Sequence, residues 1–423
     1  MAGAGGAGTV AAGSGGRIAP GAGVSGLSGA IAGGSGKAGA AGANDDTDGG
    51  VIAGAGGTSG SSGVGGASGS GAAPSDDGLG SQPAFEPTGV PIMAPDKTWT
   101  WVPFADSKCR GGSEAGISVS LNPASKRTMI YLEGGGACFD SQTCGANPSS
   151  VGSRQPGANG VFNRTRAENP VRDWNFVYVP YCTGDVHMGA ATNVTVAGVT
   201  GQQQFVGRLN LTAFLQRLVP TFADAEQVLL TGVSAGGFGA TSNAAFVQWA
   251  FGDVPVAMID DSGPTFSSDF LPSCLTKKYA QTWGLAKSIL ADCGSACSAD
   301  ADYSVQFLEY SAKRSKDRFN GLIEADGDGT IRAFLGIGTN NGADDCQGNL
   351  LLTPMAASDF LAGLLDYRKR VQQYPGFSTF YPTSTSHTWL GGEAFYTITA
   401  GNTKLVDWFK AILEGKPALH AGH

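Results

Sequence analysis

The first 84 positions of this chain contain no Phe, Trp or Tyr, and the first aromatic residue is Phe85. That asymmetry limits folding more than any other feature. Ordering a chain costs about 1–2 kcal/mol per residue in backbone entropy, and buried apolar surface must offset it. Up to about Ser81 the sequence is nearly all Gly, Ala and Ser, as in "GAGGTSGSSGVGGASGSG". This composition predicts a disordered, flexible tether over residues 1–84. No strict three-residue glycine period with proline runs through it, which excludes collagen. A single folded domain is therefore expected over residues 85–423.

The net charge of −8 argues against nucleic acid or an anionic membrane surface as the main partner. All eight cysteines, Cys109, Cys138, Cys144, Cys182, Cys274, Cys293, Cys297 and Cys346, lie in the expected domain. No pair has the spacing of a zinc ribbon, and an even count without metal spacing favours disulfides and an oxidising compartment. In a cytosolic protein the same residues would be buried thiols. The local pairs Cys138 with Cys144 and Cys293 with Cys297 are conceivable, but spacing alone does not set the connectivity. The opening "MAGAGGAGTVAAGSG" lacks the basic and apolar regions of a signal peptide. No segment is long and apolar enough to span a bilayer. A low-complexity stretch ahead of a cysteine-containing domain suits a secreted or cell-surface protein, so an export signal is expected upstream of Met1.

Within the domain, "VLLTGVSAGGFGATSNAAF" runs from a β-branched apolar stretch to an alanine-rich one through Gly232-Val233-Ser234-Ala235-Gly236. A strand entering a helix through a serine flanked by small residues is the layout that holds a hydroxyl clear of a sheet as a nucleophile. Short Gly/Ser clusters are also ordinary turn chemistry, so the serine needs partners. Where such a serine is catalytic on an α/β sheet, the order along the chain is Ser, acid, His. Of the later histidines, His420 and His423 sit in the terminal "KPALHAGH", where fraying is expected. His387, in the polar loop "YPTSTSHTWLGG", is the candidate base. His187, which follows the apolar "WNFVYVPY", is the competitor, but it precedes the serine.

For the orienting acid, "NGLIEADGDGTIRAFLG" ends an apolar strand in an acidic turn, with Asp328 and Asp326 as candidates. The acids of "DDSGP", from Asp260, are a second possibility. The turn also matches half of a calcium loop, with Glu324, Asp326 and Asp328 at the first, third and fifth positions. The twelfth position, however, is Leu335 where a bidentate Glu belongs. An oxyanion hole is expected from "TMIYLEGGGACFDSQTC", where Gly134-Gly135-Gly136 follow a buried strand and let backbone amides approach a developing charge. A phosphate-binding loop would need a Walker lysine and serine that are absent. The amide of Ala235 is the second expected donor.

"YLEGGGACFDSQTC", "YVPYCTGD" and "GVSAGGFGA" together resemble the pectin acetylesterase and Notum family of carboxylesterases, from roughly Trp99 to Trp389. The resemblance implies an α/β-hydrolase fold, with a mostly parallel central sheet and helices on both faces. It implies a triad of Ser234, His387 and Asp328, with Asp326 still open as the acid. It further implies an oxyanion hole of Gly135, Gly136 and Ala235, a Cys138–Cys144 bond, and no metal or organic cofactor. Family members often carry an aromatic after the oxyanion glycines. Here Gly136-Ala137 stands instead, which predicts a more open site. The expected substrate is an acyl ester, with acetyl groups on a polysaccharide such as pectin favoured, and the protein is expected to be a monomer. The segment 262–316 is expected to wall an acyl pocket. The rival readings are an inactive hydrolase-fold binding module displayed on a tether and a calcium-stabilised adhesion domain.

Overall fold

The computed structural model describes residues 84–271, 273–297, 302–314, 319–340, 346 and 353–423. The segment expected to be a tether lies outside them, except for its last residue. Among the described residues nine strands form one sheet. In chain order they are β1 (Thr100–Lys108), β2 (Glu114–Ser120), β3 (Arg127–Leu132), β4 (Asn175–Val179), β5 (Gln227–Val233), β6 (Val256–Asp261), β7 (Asn320–Ile323), β8 (Phe377–Phe380) and β9 (His420–Ala421). Across the sheet the order is β1-β2-β4-β3-β5-β6-β7-β8-β9. β2 runs antiparallel to both β1 and β4, and every other neighbouring pair is parallel.

The parallel strands read as continuous apolar runs because both of their faces are covered. Ile130, Leu132, Val228, Leu230, Val256 and Met258 point into one core, which helices Gly207–Thr221 and Ala235–Phe251 close. The residues between them, Met129, Tyr131, Leu229, Ala257 and Ile259, point into a second core under helix Leu405–Leu413. A two-residue alternation divided between two cores is what a strand with helices above and below must show. This is the α/β-hydrolase fold expected from the sequence.

Parallel pairing has a consequence for function. It places the carboxyl ends of β3, β5, β6, β7 and β8 along one edge, where open α/β sheets bind ligands. The register aligns them: Leu132 lies opposite Gly232, Val233 opposite Asp261, Asp261 opposite Ile323, and Ile323 opposite Phe380. The residues just beyond these positions are the glycine run, Ser234, the acidic turn and the His387 loop.

All eight cysteines are paired, as Cys109–Cys182, Cys138–Cys144, Cys274–Cys346 and Cys293–Cys297. The two short bridges match the local pairs read from spacing. The two long ones close 73 and 72 residues of chain and had no sequence signal. The C-terminus does not fray. β9 pairs with β8, Thr379 Oγ1 contacts His420 Nδ1 at 2.9 Å, and Arg368 donates to the carbonyls of Ala421, Gly422 and His423. No described helix is long and apolar enough to cross a membrane.

Candidate active site

Ser234 leaves β5 with φ 56° and ψ −122°, a left-handed backbone that a serine rarely adopts. The two flanking glycines are steric requirements of that turn. A Cβ on Gly232 would overlap the carbonyl of Gly236, and a Cβ on Gly236 would overlap that of Leu132. The turn is closed by the Ser234 amide donating to Asp261 O at 2.7 Å, and by Gly237 and Phe238 donating back to Ser234 O. Helix Ala235–Phe251 starts at once, so the hydroxyl stands at a helix N-terminus, where partial positive charge favours a developing anion.

The acid and the histidine meet. Asp328 is fully buried, and its Oδ2 accepts from His387 Nδ1 at 2.7 Å. Its Oδ1 accepts from the amides of Thr330 and Ile331 at 2.8 and 2.9 Å, capping helix Gly329–Asn340. One carboxylate thus fixes its own position with one oxygen and the imidazole with the other. Because the carboxylate only accepts, Nδ1 carries the proton and Nε2 presents a lone pair. Nε2 is buried and has no hydrogen-bond partner among the described residues, Ser234 included. Contacts of this kind commonly tighten only when substrate binds.

The other candidate acids have different partners. Asp326 accepts from the Ser384 amide at 3.0 Å and pairs with His423. Asp260 accepts from Thr241 Oγ1 at 2.7 Å, and burial lifts its carboxyl to about 8. Burial, followed by the neighbouring Asp328, pushes Glu324 well above the usual carboxylate range. Both shifts favour the neutral form of these two carboxyls. The turn that matched half of a calcium loop therefore directs Asp328 and Asp326 to a helix cap, a loop amide and two histidines.

His187 has a different partner. It is buried, burial depresses it to about 4, and its Nε2–H donates to Glu133 O at 2.9 Å. This holds the root of the glycine loop. Asn147 Nδ2 donates to Gly135 O at 2.7 Å, and Tyr181 Oη donates to Gly136 O at 2.8 Å. With these carbonyls turned away by side chains, the amides of Gly135, Gly136 and Ala235 donate to no described residue. The loop lies directly over the serine, since a Cβ on Gly134 would sit 2.9 Å from Ser234 Cβ. Gly136 has φ 80°, and a Cβ there would come within 3.3 Å of the Phe334 ring. That ring stands beside the loop, so the aromatic absent after the glycines is supplied from helix Gly329–Asn340. Tyr181→Phe is expected to lower kcat by about tenfold, a fraction of what loss of a whole oxyanion donor costs. It should also lower stability by about 1–3 kcal/mol, because the Val186 amide that donates to Oη at 2.9 Å is left unpaired. Ester turnover and a thermal melt of the variant check both.

Beside Ser234 opens a cleft with about 900 Å³ of empty space, part of it open to solvent. Its lining is largely apolar, with Phe238, Phe266, Leu271, Trp283, Phe307 and Phe334 among the contributors. Much of one wall comes from residues 264–307, within the segment expected to form it.

A family model described as pectinacetylesterase matches residues 98–303. Through this region the chain is similar to the pectinacetylesterase and Notum family. It is 33% identical over 171 residues to palmitoleoyl-protein carboxylesterase notum2 of Xenopus laevis, covering 37% of this chain and 34% of that protein. It is 30% identical over 147 residues to palmitoleoyl-protein carboxylesterase NOTUM of Drosophila melanogaster, covering 32% and 22%. The matched stretch thus spans 34% of the first relative and 22% of the second. The solved structure of the Wnt deacylase Notum from Drosophila superposes with a TM-score of 0.58 at 18% identity, covering 77% of this chain and 96% of that one. This superposition concerns the fold. The family match includes Ser234 and the glycine loop, whereas Asp328 and His387 lie beyond its last residue.

Tyr181 belongs to a motif visible in the sequence, but its hydrogen bond to the glycine loop was not. Asn147 carried no signal at all. It reaches the loop because the Cys138–Cys144 bridge and Arg110, which donates to Cys144 O and Asn147 O, shape the turn that bears it.

Proposed function

We propose that this chain is a serine carboxylesterase that works through an acyl-enzyme. The observation that carries the reading is the hydrogen bond between buried Asp328 and partly exposed His387, on the same sheet edge as the Ser234 turn. In this mechanism His387 Nε2 takes the proton as Ser234 Oγ attacks the ester carbonyl. Asp328 holds the tautomer and stabilises the imidazolium, and the amides of Gly135, Gly136 and Ala235 receive the oxyanion. The imidazolium then protonates the departing alcohol, and water, activated by the same nitrogen, releases the acid. Every step uses side chains and main-chain amides of this chain. Full pairing of the cysteines supports an oxidising location, secreted or at a cell surface.

For the acyl group, the apolar cleft favours a chain longer than acetyl, and the names of the Notum relatives agree with that. The family model's own description keeps an acetyl ester on a carbohydrate as the second reading. A p-nitrophenyl ester series from acetate to palmitate separates them. Each methylene buried in the cleft is worth about 0.8 kcal/mol, roughly a factor of four. If the cleft holds the acyl chain, kcat/KM climbs several-fold per added carbon until the cleft is full. A profile that falls from acetate onward supports the short-acyl reading. Inactivity throughout the series, with no acylated Ser234 by mass spectrometry, would remove the esterase reading altogether.

A further inference from the structure

We propose that Asp261 is a positioning residue of this site, with its carbonyl fixing Ser234 and its carboxylate fixing the main chain that carries His387. The inference rests on the esterase reading above.

Asp261 is the last residue of β6 and is fully buried. Its contacts divide between the two halves of the reaction. The main-chain carbonyl accepts from the Ser234 amide at 2.7 Å. Carboxylate Oδ2 accepts from the amides of Trp389 and Leu390 at 2.7 and 2.8 Å. Oδ1 accepts from Ser262 Oγ at 3.0 Å, and that hydroxyl in turn accepts from the Thr388 amide at 3.3 Å. Three consecutive amides directly after His387 are therefore held by Asp261 and its neighbour.

The conformations at both ends need such a hold. Thr388 has φ 65° and Ser262 has φ 68°, left-handed values that non-glycine residues keep only where their surroundings impose them. A carboxylate oxygen suits the task because one charged acceptor binds two amides strongly. No Lys or Arg among the described residues pairs with the group. Burial raises its carboxyl to about 6, while the two amides, the Ser262 hydroxyl and His387 pull it down. A carboxylate buried this deeply is costly unless its hydrogen bonds are satisfied. Here all of those bonds go to the loop of the base or to Ser262.

The test is ester turnover by the full chain as wild type, Asp261→Ala, Asp261→Asn and Ser234→Ala. Asparagine keeps an acceptor oxygen of the same shape, and alanine removes it. Asp261→Ala is expected to lower kcat by about 10²-fold, the scale of a displaced reacting group, with KM within about threefold of wild type. Fluorophosphonate labelling of Ser234 should slow by the same factor, and Asp261→Asn should recover kcat to within about tenfold of wild type. The proposal is overturned if folded Asp261→Ala keeps wild-type kcat, if its loss follows only the unfolded fraction, or if Asp261→Asn is as impaired as alanine. Should Asp261→Ala fail to fold, Ser262→Ala carries the decision. A fall of about tenfold in its kcat at constant KM supports the proposal, and wild-type kcat overturns it. Activity in Ser234→Ala would instead defeat the esterase reading, whereas an inert Ser234→Ala beside a fully active Asp261→Ala defeats this inference alone.

Discussion

Ser234→Ala is expected to lower kcat on any hydrolysed p-nitrophenyl ester by about 10⁴-fold or more, while the thermal midpoint stays close to wild type. The size follows from the chemistry, because without Oγ no acyl-enzyme forms and only binding and the oxyanion amides remain to assist water. The indifference of stability follows from the structure. The Ser234 side chain makes no capping hydrogen bond, and the bonds that close the turn all run through its backbone amide and carbonyl. Alanine must still accept φ 56°, the same strain that serine accepts. A burst of p-nitrophenol in wild type and none in the variant would complete the result. Comparable turnover by the two proteins would reduce the elbow to a turn.

The second large effect is at Asp328, where two substitutions separate catalysis from folding. Asp328→Asn keeps an oxygen to cap helix Gly329–Asn340, but it presents an amide donor to His387 Nδ1 and so favours the wrong tautomer. A loss of about 10⁴-fold in kcat is expected with little change in thermal midpoint. Asp328→Ala loses the same activity and also the cap, at about 1 kcal/mol or more of stability. Asp326→Asn, two residues away, should leave kcat near wild type, because Asp326 serves the Ser384 amide and His423. Kinetics and melts of the three variants decide the assignment. Equal losses in Asp326→Asn and Asp328→Asn would refute it.

The choice between these two acids shows where sequence reading stopped. Asp326 and Asp328 have the same chemistry in one short turn, and both follow the same strand. What separates them is that the helix begins at Gly329, which puts Asp328 at its cap and turns its second oxygen to the histidine. His187 illustrates the same limit. Its position after a strand left a competing base open beside a substrate-contacting or structural role, and in the fold it is buried and donates to Glu133 O. The C-terminal histidines, expected to fray, are held by strand pairing with β8, by Arg368 and by Asp326, contacts made across 41 to 97 residues of chain.

The sequence by itself determined the features set within a few residues. These are the Gly-Val-Ser-Ala-Gly turn, whose glycines answer to backbone overlap, the apolar strands that need two covered faces, and the order of glycine loop, serine, acid and histidine along the chain. The two short cysteine spacings belong with them. The tertiary structure alone decided which carboxylate faces His387, which side chains turn the glycine-loop carbonyls away, and which cysteines bridge more than 70 residues. It also decided that Asp261 joins the Ser234 turn to the His387 loop. The physical reason is range: turn sterics and alternation act between neighbours in the chain, whereas hydrogen-bond partners are chosen by which strand ends the parallel register brings to one edge of the sheet.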